Sequence, residues 1–297
     1  MGIKIIKSMH DNHIITNLMN SGLINETNEL QELSLLQYKY NIETYYAVIN
    51  NKKIVIKLNK TNSNQLLIEK KMLEDLKFCH VRIPGVVFFK KNLLALEWIE
   101  CENIPIRPKH EIEIARSILK LHSVKKNYFG YEYDTIIGNL IQPNSKSNKW
   151  IDFYRENRLL YYSKIAFKIG LINVELYKKI DKLSQCIEKY LIEPESASLI
   201  HGDLWQSNIL VDREHFLGLI DPGIFYAHTE YELAYLIMNG TFTKTFYNEY
   251  NDHVKLDKDF NKYRKYIYML TPLLQYSIMD SGIYIHEITK ILNRLKI

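Results

Sequence analysis

The densest chemical signal in the chain is a histidine, a glycine and an aspartate in a row, with an asparagine five places after the aspartate. It reads His201-Gly202-Asp203-Leu204-Trp205-Gln206-Ser207-Asn208. Beyond it an apolar run, Leu217-Gly218-Leu219-Ile220, ends in Asp221 and Pro222. Phosphoryl transfer needs these residue types. A carboxylate orients and deprotonates the attacking hydroxyl. Magnesium takes hard oxygen ligands from carboxylates, amides and phosphates. Asp203 reads as the base, and Asn208 and Asp221 as the metal ligands. A tight loop from Asp203 to Asn208 points both side chains the same way. Each residue alone would pass for an ordinary turn residue; the ordered set carries the chemistry. His201 reads as a brace for the loop rather than a proton carrier.

A kinase-type site also needs a strand lysine for the nucleotide phosphates, paired with a glutamate on the following helix. Lys57 is the only charged residue within the apolar run Ile54-Val55-Ile56-Lys57-Leu58. Glu69 follows twelve residues later, among Ile68, Met72 and Leu73. A charge inside a buried strand is unfavourable unless paired. Glu74, on the same helical stretch, is the fallback partner, and a solvent-facing Lys57 is the bland alternative.

The elements that must position these groups fall into two sets. Residues 45–49 and 54–58 are β-rich and joined by the turn Asn50-Asn51-Lys52-Lys53. Residues 63–77 carry apolar side chains at helical spacing. Pro84-Gly85 breaks the chain before two short strands, 86–89 and 93–98. After Pro105 and Pro108 helices dominate, at about 110–124, 149–168, 172–191, 229–239, 242–251, 258–278 and 283–295. The stretch 198–223 interrupts them with two short strands and functional loops. The expectation is an α+β, bilobal protein-kinase-like fold. Residues 1–100 form a small β-rich nucleotide-binding lobe and 101–297 a larger, mainly helical catalytic and substrate lobe.

Several motifs together resemble the fructosamine-kinase (ketosamine-3-kinase) family, within the aminoglycoside-phosphotransferase and protein-kinase-like group. One block is His201-Gly202-Asp203-Leu204-Trp205 with Asn208, continuing through Ile220-Asp221-Pro222 to Tyr226, His228, Glu230, Glu232, Leu233 and Ala234. A second runs Phe129-Gly130, Ile137-Gly138, Gln142-Pro143-Asn144, Trp150, Phe153, Arg158 and Leu159. A third comprises Pro272-Leu273-Leu274, Gly282 and Tyr284. The resemblance implies ATP and Mg2+ as cofactors, with the adenine against the inter-lobe segment Glu97-Trp98-Ile99. It also implies transfer of the γ-phosphate to the 3-hydroxyl of a ketosamine, either a small molecule or a glycated protein lysine. Trp205 would contribute to the sugar pocket. His228 and Glu230 would touch substrate or brace the loop.

The family's glycine-rich nucleotide-covering loop is not matched. The aligned stretch, residues 34–45, contains Tyr38 and Tyr40, and no glycine occurs between Gly22 and Gly85. The family's arginine before the motif glutamate is Thr229. Two other functions therefore stay open: an aminoglycoside- or choline-type kinase, and a catalytically weak kinase-like nucleotide-binding protein.

Composition narrows the setting. The chain has 297 residues, 46% hydrophobic and 25% charged, which excludes a disordered chain. Its net charge of +5 is spread out, unlike the concentrated surplus of a nucleic-acid binder. No apolar run is long enough to span a membrane. The opening Met1-Gly2-Ile3-Lys4-Ile5-Ile6-Lys7 does not read as a signal peptide. The cysteines, Cys79, Cys101 and Cys186, are three and scattered, which suits a reducing cytoplasm.

Overall fold

The computed structural model describes residues 9–256 and 258–297. The opening seven residues, read above for targeting, lie outside that range. The chain divides into two compact units. One holds the described residues up to Phe78 together with Arg82–Cys101, the other Cys79–Val81 and Glu102–Ile297.

In the first unit, α1 (Met9–Ser21) precedes β1 (Leu30–Lys39), β2 (Ile42–Ile49) and β3 (Lys52–Asn59). Then come α2 (Gln65–Leu76), β4 (Val86–Lys90) and β5 (Leu93–Glu97). The strands form one antiparallel sheet in the order β1-β2-β3-β5-β4. β3 lies at its centre, with Lys57 opposite Thr44 on one side and Leu94 on the other. Ile14 and Leu18 of α1 pack with Tyr45, Ala47, Ile54 and Ile56 into the apolar core. Both early hairpins turn on two residues with left-handed backbone: Tyr40 and Asn41 (φ 53° and 63°), and Asn50 and Asn51 (φ 49° and 61°). Such turns suit the twist of paired strands. Asparagine adopts this conformation readily, whereas a bulky tyrosine does so at a steric penalty.

The structure corrects the sequence reading at residues 34–45. They are not a loop but the ends of β1 and β2 closed by the turn at Tyr40-Asn41. The connection is a two-residue turn, and the ladder beside it shifts register between Leu35 and Gln37. Thr44, within this stretch, is a buried strand residue.

The second unit begins with α3 (Pro108–His122), whose first position is a proline, a preorganised helix start. β6 (Lys125–Lys126) and the hairpin β7 (Thr135–Ile137)–β8 (Leu140–Gln142) follow. Next come α4 (Trp150–Tyr154), a π-helical turn (Arg155–Leu160), α5 (Tyr161–Lys168) and α6 (Val174–Gln185). Between α6 and the next helix lie four strands where two were expected: β9 (Ala197–Ile200), β10 (Ile209–Val211), β11 (Phe216–Leu219) and β12 (Phe225–Ala227). α7 (Thr229–Asn239), α8 (Lys244–Asn251), α9 (Lys265–Met279) and α10 (Ile285–Arg294) complete the unit. β9 is flanked by β12 and β6, and β10 pairs only with β11.

Candidate active site

In the first unit Lys57 and Glu69 meet. Lys57 Nζ donates to Glu69 Oε1 at 2.6 Å, and both residues are buried. β3 is covered by strands on both edges, and Glu69 lies on the inner face of α2 beside Leu66, Met72 and Leu73. A lysine at this position therefore requires the carboxylate that α2 brings to it. The fallback, Glu74, is used elsewhere, pairing with Lys70 at 2.7 Å. Glu97, at the end of β5, takes Arg82 at 2.9 Å and the backbone N–H of Gly85 at 3.2 Å. Trp98 stands edge-on to Tyr46, with centroids 4.7 Å apart, and Ile99 is buried.

In the second unit the loop between β9 and β10 is held by its backbone. The N–H of Gly202 donates to Glu232 Oε1 at 2.7 Å. The other oxygen of Glu232 meets His122 Nε2 at 2.8 Å, and His122 Nδ1 meets the Tyr250 hydroxyl at 2.8 Å. α7, α3 and α8 thus converge on one peptide group. The carbonyl of His201 accepts from Gly223 at 2.8 Å. Gly202 has φ +81°, and a Cβ on it would lie 2.1 Å from the Gly223 carbonyl oxygen. Only glycine fits this approach. The His201 ring is fully buried; burial pushes its pKa down, so it stays neutral and acts as a brace.

Asp203 and Asn208 are joined by hydrogen bonds within the loop, and strand register brings the backbone just before Asp221 against Asn208. Asn208 Nδ2 donates to the Asp203 carbonyl at 2.8 Å and to Asp203 Oδ2 at 3.2 Å. Its amide nitrogen is thereby committed, leaving Oδ1 as the acceptor atom. Ile209 lies opposite Leu219, and Ile220 N–H donates to the Asn208 carbonyl at 3.0 Å. Asp221 follows that bond directly, in left-handed backbone at φ 52°. Asn208 and Asp221 are the residues that could offer hard oxygen donors to magnesium, with substrate phosphates and water needed to complete its shell.

Two functional contacts had no sequence signal. The hydroxyl of Tyr235, on α7, hydrogen-bonds Asp203 Oδ1, and the Tyr276 hydroxyl, on α9, contacts that of Tyr235. Other candidates are placed differently from a substrate role. Glu230 is buried with both oxygens on Arg264, at 2.6 and 2.7 Å. His228 is buried and meets the Tyr268 hydroxyl at 3.0 Å through Nδ1. Of the two roles left open for them, this geometry favours bracing, because neither carboxylate oxygen nor His228 Nδ1 is left to solvent. Trp205 is 36% exposed, beside the fully buried Leu204. The second motif block is scaffold: Gln142 Nε2 donates to the Gly223 carbonyl at 3.0 Å. Arg158 bridges the Pro143 carbonyl and Asn144 Oδ1, both at 2.7 Å, with its guanidinium over Phe225.

The chain is similar to known proteins along most of its length. The chain is 31% identical over 178 residues to a chloroplastic protein-ribulosamine 3-kinase from Arabidopsis thaliana, a match spanning 58% of this chain and 53% of that protein. The crystal structure of a candidate fructosamine-3-kinase from Thermobifida fusca YX-ER1 superposes with a TM-score of 0.82 at 21% identity, covering 95% of this chain and 98% of the other. An ADP-bound aminoglycoside phosphotransferase superposes at 0.66 and 17% identity, over 96% and 97% of the two chains. At these identities the two structures speak for the protein-kinase-like fold alone. A family model described as fructosamine kinase matches residues 19–297. With nearly the whole length accounted for, the chain belongs to the fructosamine kinase family.

Proposed function

We propose that this protein is an ATP-dependent ketosamine 3-kinase, which moves the γ-phosphate of ATP to the 3-hydroxyl of a sugar-derived ketosamine. The observation that supports the reading is the hydrogen bond from Asn208 Nδ2 to Asp203 Oδ2 at 3.2 Å, with Asp221 following directly after the backbone bond from Ile220 to Asn208. Asp203 accepts the proton as the acceptor oxygen bonds to phosphorus and ADP departs. Lys57, steadied by Glu69, holds the charge of the nucleotide phosphates. Asn208 and Asp221 would hold magnesium, which would supply positive charge against the nucleotide phosphates. Glu97, Trp98 and Ile99 are the adenine-side residues of this proposal, and Trp205 offers an aromatic face to the sugar. The acceptors are small ketosamines or glycated protein lysines. No helix among the described residues is long and apolar enough to cross a membrane. Placement in the cytoplasm rests on cysteine usage and belongs to the proposal.

The test is an ATP-consumption screen with ribulosamine, erythrulosamine and fructosamine adducts, run beside aminoglycosides and choline. Magnesium-dependent turnover of a ketosamine, with phosphate on O3, supports the reading. Turnover confined to aminoglycosides or choline overturns it.

A further inference from the structure

Two tyrosines from different helices converge on the carboxylate of Asp203. Tyr235 is 3% exposed and bonds Oδ1, while Tyr276 reaches the same phenol from α9. An ionised carboxylate only accepts, so the proton in the first bond belongs to Tyr235. A phenol has one proton to give. In the second contact Tyr276 therefore donates and the Tyr235 oxygen accepts, and the chain runs one way: Tyr276 to Tyr235 to Asp203. Burial, reinforced by the Asp203 charge, pushes the pKa of both phenols up, so both stay protonated donors. Tyr231, one turn earlier on α7, has a different setting: its ring packs among Trp150, Tyr154 and Tyr268. The Tyr235 hydroxyl is thus no by-product of an aromatic helix face. Asp203 Oδ2 meets Asn208 Nδ2 at 3.2 Å, a longer bond to a neutral amide.

We propose that Tyr235 is a positioning residue for the base: its phenol engages Oδ1 and fixes the carboxylate plane so that Oδ2 takes the acceptor proton, with Tyr276 holding Tyr235 in place. This rests on the reading of Asp203 as base. The family motif quoted above ends at Ala234, so the device lies one residue beyond it and depends on a partner 41 residues further on.

The experiment is a double-mutant cycle read by kcat, by the KM for ATP and by thermal melting. Tyr235→Phe keeps the ring and removes one charge-assisted hydrogen bond, so kcat should fall about tenfold. The KM for ATP should stay within about twofold, because no ground-state nucleotide contact is lost. Tyr276→Phe, acting through Tyr235, should cost about threefold, and the double variant should be no slower than Tyr235→Phe alone. On an Asp203→Asn background Tyr235→Phe should have no further effect on the residual single-turnover rate. An unchanged kcat in Tyr235→Phe, or the same tenfold loss on the Asp203→Asn background, overturns the proposal. If Tyr235→Phe does not yield folded protein, Tyr276→Phe on the two backgrounds makes the same comparison. Wild-type turnover in Asp203→Asn alone would instead refute the base assignment, so the two failures are distinguishable.

Discussion

Replacing Glu69 with alanine isolates the buried ion pair of the first unit. The Lys57 and Glu69 side chains are only 10% and 8% exposed, and 2.6 Å separates the charged atoms, so water screens little of the interaction. Removing one partner of such a pair costs about 3–5 kcal/mol, because the remaining charge keeps its desolvation penalty. At roughly 4–8 °C per kcal/mol for a unit of about 100 residues, the lower bound of about 3 kcal/mol is a fall of about 12–24 °C in the melt of the first unit. Activity should fall with it, through a higher KM for ATP as Lys57 loses its tether. The double variant Lys57→Met/Glu69→Leu removes both charges and replaces them with apolar volume. Its melting temperature should return to within a few degrees of the starting protein, while turnover remains lost. Differential scanning fluorimetry and coupled ADP-release kinetics read the two quantities separately. If the double variant melts as low as Glu69→Ala, the unpaired-charge account of the instability is wrong. If Glu69→Ala keeps the original KM for ATP and kcat, the pair has no part in nucleotide handling.

Asp221→Ala should abolish turnover at limiting magnesium, and an undiminished rate in a magnesium titration would remove Asp221 from the metal site. Gly202→Ala places a Cβ where the Gly223 carbonyl stands, forcing the loop to move and carrying Asp203 with it. A displacement of that kind lowers kcat by about 10²-fold, and a wild-type kcat would show that the loop tolerates the shift. His201 is buried with a lowered pKa, so below about pH 6.5 the unfolded chain binds a proton that the folded protein refuses. Stability contributed by neutral His201 is therefore present near pH 7 and lost as pH falls. Urea midpoints of His201→Asn should decline less steeply between pH 7 and 5, and parallel slopes would contradict the assignment.

Residues that act within one short segment could be read from the chain. Asp203, Asn208 and Asp221 lie on one loop and the hairpin that follows it, so their spacing already implied proximity. The Lys57–Glu69 pair was legible for another reason: a lone charge in an apolar strand demands a partner, and the next helix offered two glutamates, of which Glu69 lies among apolar neighbours. Tyr235 and Tyr276 escaped notice because they reach Asp203 across 32 residues and through a second helix, with nothing in their local pattern to mark them. Glu230 stayed open between a substrate contact and a brace because a carboxylate beside such a loop has the same local sequence whether it faces ligand or guanidinium. Its partner Arg264 lies 34 residues downstream. The strand β1 was missed because all but one of its residues from Gln31 to Lys39 are exposed, so its pairing with β2 leaves little alternation to detect.

The anchoring of the β9–β10 loop through a main-chain N–H divides the loop by susceptibility to change. Its leading half answers to Glu232, His122 and Tyr250, three side chains remote in sequence, and any drift in them propagates to the reacting carboxylate. Its trailing half, Trp205-Gln206-Ser207, is exposed and carries none of that tension. Under the proposed function, substitutions there would alter the acceptor that is accommodated while leaving the anchored half of the loop, with Asp203, where it stands.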